Sequence, residues 1–312
     1  MLPEISRHLR EKLKVFFLTD NLILNNKVIP VIRENFQEVN SSAEEKTIAF
    51  VDGGQAEILS GGNLSLSFIR VFAQVMKSSK KLDSFKHEFY VLTTAVYRNG
   101  EIWYEGKVFG SDLIEEADLL VSSYDSSIKS GNERGPISKV AGMARRFAEL
   151  KLAQKIKTDY VLLDGTLEIT LKNEEKYMAG LGKNVAALAK TCSLFTTCGN
   201  NPAVLLQKLS SFQQAWSYLA DNNNSFVKLH PRAKHVFRFQ GNLEILPFLV
   251  NGSSDPLFLG YPYGLILADK LARVSEEERK SLKMQLLLNK ENREFTEYLS
   301  TTNAHEILDN LG

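Results

Sequence analysis

Thr47-Ile48-Ala49-Phe50-Val51-Asp52-Gly53-Gly54 and Asp159-Tyr160-Val161-Leu162-Leu163-Asp164-Gly165-Thr166 are built alike: a short apolar run stops on an aspartate that glycine follows at once. An unbroken apolar run of this length suits a strand buried on both faces, as in the middle of an α/β sheet. The glycine permits an abrupt turn and lets a ligand approach the backbone closely. Two such strands side by side place two carboxylates at one end of one sheet, which is a seat for divalent metal. Asp-Gly is also ordinary turn chemistry, because Asp caps and Gly supplies positive φ. Both readings stand for either run alone, and the repetition carries more weight than either copy.

Outward from these runs the elements follow from periodicity. Ile5, Leu9, Leu13 and Phe16 fall at helical intervals. The polar stretch from Asn40 to Lys46 leads into the first aspartate strand. Gly61-Gly62-Asn63 turns into an alternating strand from Leu64 to Val71, and Phe89 to Tyr97 is a further strand. Asn99-Gly100 is a hairpin signal, with Glu101 to Tyr104 returning, so a three-strand meander follows the first aspartate. Asp112 to Val121 reads as a short amphipathic helix, Asp125 to Gly135 as a polar loop, and Ile137 to Ile156 as a longer helix. Glu174 to Leu188 looks helical, Ser193 to Thr197 is β-prone, and Pro202 opens a helix. Phe226 to Pro231 and His235 to Phe239 alternate and pair as late strands. Helices near Leu265 to Leu288 and Glu291 to Leu311 close the chain. There is no internal repeat or linker.

The bulk properties exclude several classes. The 312 residues are 44% hydrophobic and 24% charged, as in a globular protein with a real core. A formal net charge of +1 gives no global field for nucleic acid, so any basic surface is local. Two cysteines, Cys192 and Cys198, form neither a disulfide framework nor a zinc site. No stretch approaches the ~20 apolar residues of a membrane span, and no signal peptide is visible, so a cytoplasmic protein is expected.

Two more acids stand out. Glu149 lies on the helix before the second aspartate strand, with Leu152 and Ala153 at i+3 and i+4, and so borders a packed face. Asp269 has Leu265, Ile266 and Ala272 at i−4, i−3 and i+3, a lone acid on an apolar stripe. A buried carboxylate needs a partner or a metal, although a salt bridge or a partly exposed flank explains either acid taken singly.

A strand Asp, a helix Glu, a second strand Asp and an acid on a late helix make the pattern of the ribonuclease-H-like nucleases. More closely, the chain resembles the NurA family of DNA-end-processing nucleases. The resemblance rests on Phe50-Val51-Asp52-Gly53-Gly54, Arg146 with Glu149, and Val161 to Leu167. It continues through Leu188-Ala189-Lys190-Thr191, Lys228 to Ala233, His235 to Phe239, and Gly260-Tyr261-Pro262-Tyr263 leading to Leu267 through Arg273. It implies an α/β fold: a ribonuclease-H-like mixed sheet with central parallel Asp-bearing strands, flanking helices and appended terminal helices. Residues 1–45 are then an N-terminal helical extension and 46–312 the nuclease domain.

By resemblance, Asp52, Glu149 and Asp164 match the family's acidic metal ligands, and Asp269 falls where members often carry His. Lys190 would contact DNA phosphate or support the site. The implied activity is metal-dependent hydrolysis of DNA in end resection or repair, by a homodimer docked on a HerA-type hexameric ATPase. Carboxylate oxygens suit Mn²⁺ or Mg²⁺, and two ions are expected, with Asp52 bridging them. Arg146, Lys190, His230, Arg232 and Arg238 are the expected nucleic-acid contacts, with Arg145, Lys228 and Lys234 nearby in sequence or on the late strands.

Leu163 to Leu167 also suggests the Asp-x-Asp-Gly-Thr motif of haloacid-dehalogenase phosphatases, but residue 162 is Leu where that nucleophile belongs. No G-x-x-x-x-G-K-[ST] loop supports an intrinsic ATPase. A nuclease-like fold kept as a catalytically silent DNA-binding or assembly subunit is the remaining alternative.

Overall fold

The two aspartate-bearing runs are adjacent parallel strands. The computed structural model describes residues 1–15, 20–292, 294, 295 and 298. In chain order it contains α1 (Leu2–Val15), β1 (Leu22–Leu24), β2 (Lys27–Ile29), β3 (Phe36–Glu38), β4 (Thr47–Ser60), β5 (Leu64–Lys77), β6 (Lys80–Arg98), β7 (Glu101–Phe109) and β8 (Leu120–Ser122). Then come α2 (Lys139–Lys155), β9 (Tyr160–Asp164), α3 (Glu174–Met178), β10 (Val185–Ala189), β11 (Phe195–Thr196), α4 (Pro202–Leu209), β12 (Trp216–Leu219), β13 (Ser225–Lys228) and β14 (Phe237–Gln240). The remaining helices are α5 (Leu246–Asn251), α6 (Tyr263–Ala272) and α7 (Glu276–Leu287).

One mixed sheet of eleven strands runs β3-β12-β13-β14-β10-β9-β4-β5-β6-β7-β8. The strands β4 to β7 form an antiparallel meander, and β4, β9 and β10 are parallel. The β6–β7 turn is Asn99-Gly100, both with positive φ, as a tight hairpin requires. The apolar runs are buried on both sides. Ala49, Val51, Val161 and Leu163 join the core under α2, while Ile48, Phe50 and Leu162 join the core under α6. The helix α6 approaches β4 through small residues: a methyl group on Gly264 would overlap the Phe50 ring, and one on Gly54 would overlap the Ala272 carbonyl. That close approach brings the carboxyl half of α6 over the middle of β4.

Several elements differ from the sequence expectation. β4 does not stop at Asp52 but continues through Gly53-Gly54 to Ser60, so these glycines serve close packing and not a turn. Gly165, by contrast, ends β9 at a φ of +103°. Asp112 to Val121 is not an amphipathic helix. A short 3₁₀ turn at Glu116–Leu119 leads straight into β8, because pairing of Leu120–Ser122 with β7 overrides helical spacing. Glu174 to Leu188 is helical only over α3. Gly180 and Gly182 follow, and Val185–Ala189, buried at every position, is the unbroken apolar run of an interior parallel strand.

Among the described residues of the first 45, helix is confined to α1 and a 3₁₀ turn at Arg33–Asn35. β3 is the edge strand beside β12, and β1 pairs with β11. Ile5, Leu9 and Leu13 leave α1 exposed, and Phe16 lies outside the described residues. The late strands β13 and β14 pair antiparallel as expected. The helix expected over Leu265–Leu288 is two, α6 and α7. The Ser275 side chain caps the second by accepting from Glu278 N at 3.1 Å. Most of the helix expected over Glu291 to Leu311 lies outside the described residues.

Candidate metal centre

The site begins with register. β4 and β9 pair from Ile48 opposite Tyr160 to Val51 opposite Leu163, so the next position sets Asp52 beside Asp164. Alternation turns both carboxylates toward α6, the face of Phe50 and Leu162. Asp269 arrives from α6. One carboxylate oxygen from each of Asp52, Asp164 and Asp269 lies within 4.8 Å of the others.

Glu149 comes from the opposite face. It projects from α2, is 4% exposed, and its carboxylate lies against Gly53, where a Cβ would overlap it. The absent side chain at Gly53 is the opening through which Glu149 reaches the sheet. Arg145 Nη1 stands 3.2 Å from Glu149 Oε1, and also donates to the Gly53 carbonyl at 2.8 Å. Glu149 Oε1 is nonetheless buried with no hydrogen-bond donor among the described residues. Asp52, Glu149 and Asp164 line one cleft of about 460 Å³ with Arg145, Arg146 and Glu174.

So much negative charge in so little water shifts protonation. Burial, then Asp164 and Glu149, push the Asp52 carboxyl up to about 8. Burial also raises Glu149, with Arg145 and Arg146 opposing. Lys190, which follows β10, answers part of this charge: its ammonium lies 2.6 Å from Asp164 Oδ2 and 3.1 Å from Asp269 Oδ1. Burial works against that ammonium, yet the two aspartates raise its pKa. Arg273 Nη2 holds the other oxygen of Asp269 at 2.9 Å.

These observations test whether a hard cation fits. The donors are carboxylate oxygens, one buried oxygen lacks a donor, and crowding keeps Asp52 protonated above its ordinary range. A divalent ion would relieve both the orphaned oxygen and the crowded charge, so the residues fit a hard divalent cation.

The expected nucleic-acid residues divide. Lys190 joins the acids. His230 and Arg232 follow β13, which runs parallel to β10, so they lie on the same carboxyl edge of the sheet as Lys190. There His230 Nδ1 accepts from Arg232 N at 3.2 Å, and the Arg232 side chain is exposed. Arg146 is a structural clamp, donating to Glu174 Oε1 at 2.8 Å and to the Thr166 carbonyl at 2.6 Å, which fixes the loop after β9. Arg238 corrects the expectation. Its guanidinium is 5% exposed and committed to Glu168 and Asn224, leaving no donor fork for phosphate.

No family model matches the sequence, and no curated protein matches it. Solved structures do. The NurA nuclease from Sulfolobus solfataricus superposes with a TM-score of 0.50 at 14% identity, over 94% of this chain and 94% of that one. The chain has a NurA-like fold. Human ENDOV matches at a TM-score of 0.42 and 12% identity, over 89% of this chain and 99% of that one. Ciona intestinalis endonuclease V, in complex with a 24mer DNA, matches at 0.37 and 13%, over 90% and 98%.

Two residues of this acidic site in the NurA-like fold escaped the sequence reading. Tyr261 is fully buried and donates its hydroxyl to Asp164 Oδ1 at 3.2 Å, with Lys190 Nζ 5.4 Å over its ring. Burial, then Asp164 and Asp52, raise its pKa, so it stays a donor. It sat in the Gly260-Tyr261-Pro262-Tyr263 segment, but nothing in the segment itself marked a hydrogen bond to an acid. Gly53 was read as a turn residue, when its function is to make room for Glu149.

Proposed function

We propose that the chain is a divalent-metal-dependent deoxyribonuclease with a ribonuclease-H-like core. The strand order β6-β5-β4-β9-β10, antiparallel up to β4 and parallel beyond it, supports the core assignment. The observation that carries the activity is the convergence of Asp52, Asp164 and Asp269 on one point, with buried Glu149 behind them.

Asp52, Asp164, Asp269 and Glu149 would hold two Mn²⁺ or Mg²⁺ ions. When bound, such ions activate water and stabilise the leaving oxygen of a phosphodiester. The protein's own contribution is positioning and charge. Tyr261 fixes the orientation of the Asp164 carboxylate, and Arg145 that of Glu149. Lys190 is a mobile counter-ion, able to leave the aspartates for a substrate phosphate. Arg232 and His230 extend that edge toward the strand. By the same resemblance, the chain acts in DNA end resection or repair as a homodimer with a HerA-type hexameric ATPase.

One observation favours a second reading: the Lys190 ammonium already bridges Asp164 and Asp269, as in a site silenced by an internal cation. Such a protein would bind DNA or support assembly without cutting.

Incubation of the purified chain with labelled DNA, in Mn²⁺, Mg²⁺ or EDTA, separates the two. The nuclease cleaves in one or both metals and not in EDTA. Metal at about a hundredfold its Kd also stabilises it by ~2.7 kcal/mol, seen as a raised Tm. DNA binding without degradation, alone and with the motor, supports the silent subunit.

A further inference from the structure

The loop after β8, beside the acid cleft, carries a cation over an aromatic ring. That loop contributes Ser127 and Ile128 to the wall of the cleft that Asp52, Glu149 and Asp164 line. In that loop the Arg134 guanidinium lies 5.4 Å over the Tyr124 ring, and Tyr124 is 46% exposed. The loop after β9 contributes Gly165, Thr166, Glu168, Thr170 and Leu171 to the same cleft, and Lys172 Nζ sits 5.0 Å over the ring of Trp103, the β7 partner of Ser122.

The first loop is pinned at its base. Gly135 N donates to the Ser123 carbonyl at 2.7 Å, and the Tyr104 hydroxyl donates to the Gly135 carbonyl at 2.7 Å. Asp125 Oδ1 accepts from Ser127 N at 2.9 Å and from Ser127 Oγ at 2.6 Å. Tyr124 is therefore a half-exposed ring held on a braced loop, with a guanidinium over it.

We propose that Tyr124, backed by Arg134, is a stacking platform for an unpaired base of single-stranded nucleic acid whose backbone enters the acid cleft. The proposal rests on the nuclease reading for the placement of a phosphodiester in that cleft. Every base has a flat π-face, so an aromatic ring beside the cleft takes a strand without regard to sequence. Arg134 and Lys139, both exposed, supply positive charge on that rim. Inside a duplex no base face is free, because the bases already stack on one another. The platform therefore selects unpaired strands.

Fluorescence anisotropy of labelled oligothymidylate against the full chain tests this. Tyr124→Ala weakens binding about tenfold, the usual loss of one base–aromatic stack, while Tyr124→Phe retains it. Affinity for a blunt duplex stays at the wild-type level in Tyr124→Ala. So does Mn²⁺-dependent hydrolysis of bis(p-nitrophenyl) phosphate, a diester that carries no nucleobase. Wild-type oligothymidylate affinity in Tyr124→Ala, or an equal loss on duplex, overturns the platform. Were the wild type to bind the oligonucleotide yet hydrolyse neither substrate, the nuclease reading would fall, and the tenfold loss would still establish the platform. Were it to hydrolyse the small diester but bind no oligothymidylate, the platform would fall alone.

Discussion

Asp52→Asn and Asp164→Asn each abolish Mn²⁺-dependent DNA cleavage without unfolding the protein. Either change removes a charged oxygen from a point where three aspartates lie within 4.8 Å. Charge stabilisation by a held cation is worth several kcal/mol, so losing about 4 kcal/mol of it slows cleavage roughly a thousandfold. Folding is spared because the charge at Asp52 is a burden in the metal-free protein. Its carboxyl is raised from 3.8 to about 8 by burial and by Asp164 and Glu149. The folded state thus keeps a proton that the unfolded chain gives up. Metal-free stability therefore falls as pH rises from about 4 to about 8. Asp52→Asn flattens that slope, since a neutral amide has no proton to lose. Thermal melts across pH, beside cleavage assays, check both halves. Wild-type cleavage by either variant rejects the site.

Gly53→Ala has the next largest effect, although alanine differs by a single methyl group. That methyl would overlap the Glu149 carboxylate and come within 2.9 Å of Arg145 Cγ. Glu149 is buried and Arg145 is tied to the Gly53 carbonyl, so neither yields cheaply. Overpacking of this kind costs about 1–3 kcal/mol of stability. Displacing the acid, like disturbing the support of a metal site, costs a further ~10–100-fold in activity or metal affinity. A lowered Tm together with a raised metal requirement is the expected signature. An active, fully stable Gly53→Ala protein shows that Glu149 does not occupy the space the glycine leaves.

The parts of this fold legible in the sequence were those set by local rules. The twin apolar runs ending in aspartate gave the central parallel strands, and Asn99-Gly100 gave the hairpin. What local rules do not carry is partnership across the chain. β8 looked helical until it paired with β7, and Val185–Ala189 looked like the end of a helix until β9 and β14 flanked it. The site shows the same division. Asp52, Asp164 and Asp269 were nameable because each closes or interrupts an apolar pattern. Tyr261 was not, because a tyrosine beside proline says nothing of an acid 97 positions away. Arg238 misled for the opposite reason: an arginine on an alternating strand reads as solvent-facing, whereas Glu168 and Asn224 bury it as a paired charge.

An anomalous-difference map from a crystal soaked in Mn²⁺ is the most direct measurement. A peak is expected at about 2.1 Å from carboxylate oxygens of Asp52 and Asp164, with the Lys190 ammonium moved off them. A map with no peak among these acids, and Lys190 still bridging Asp164 and Asp269, contradicts it.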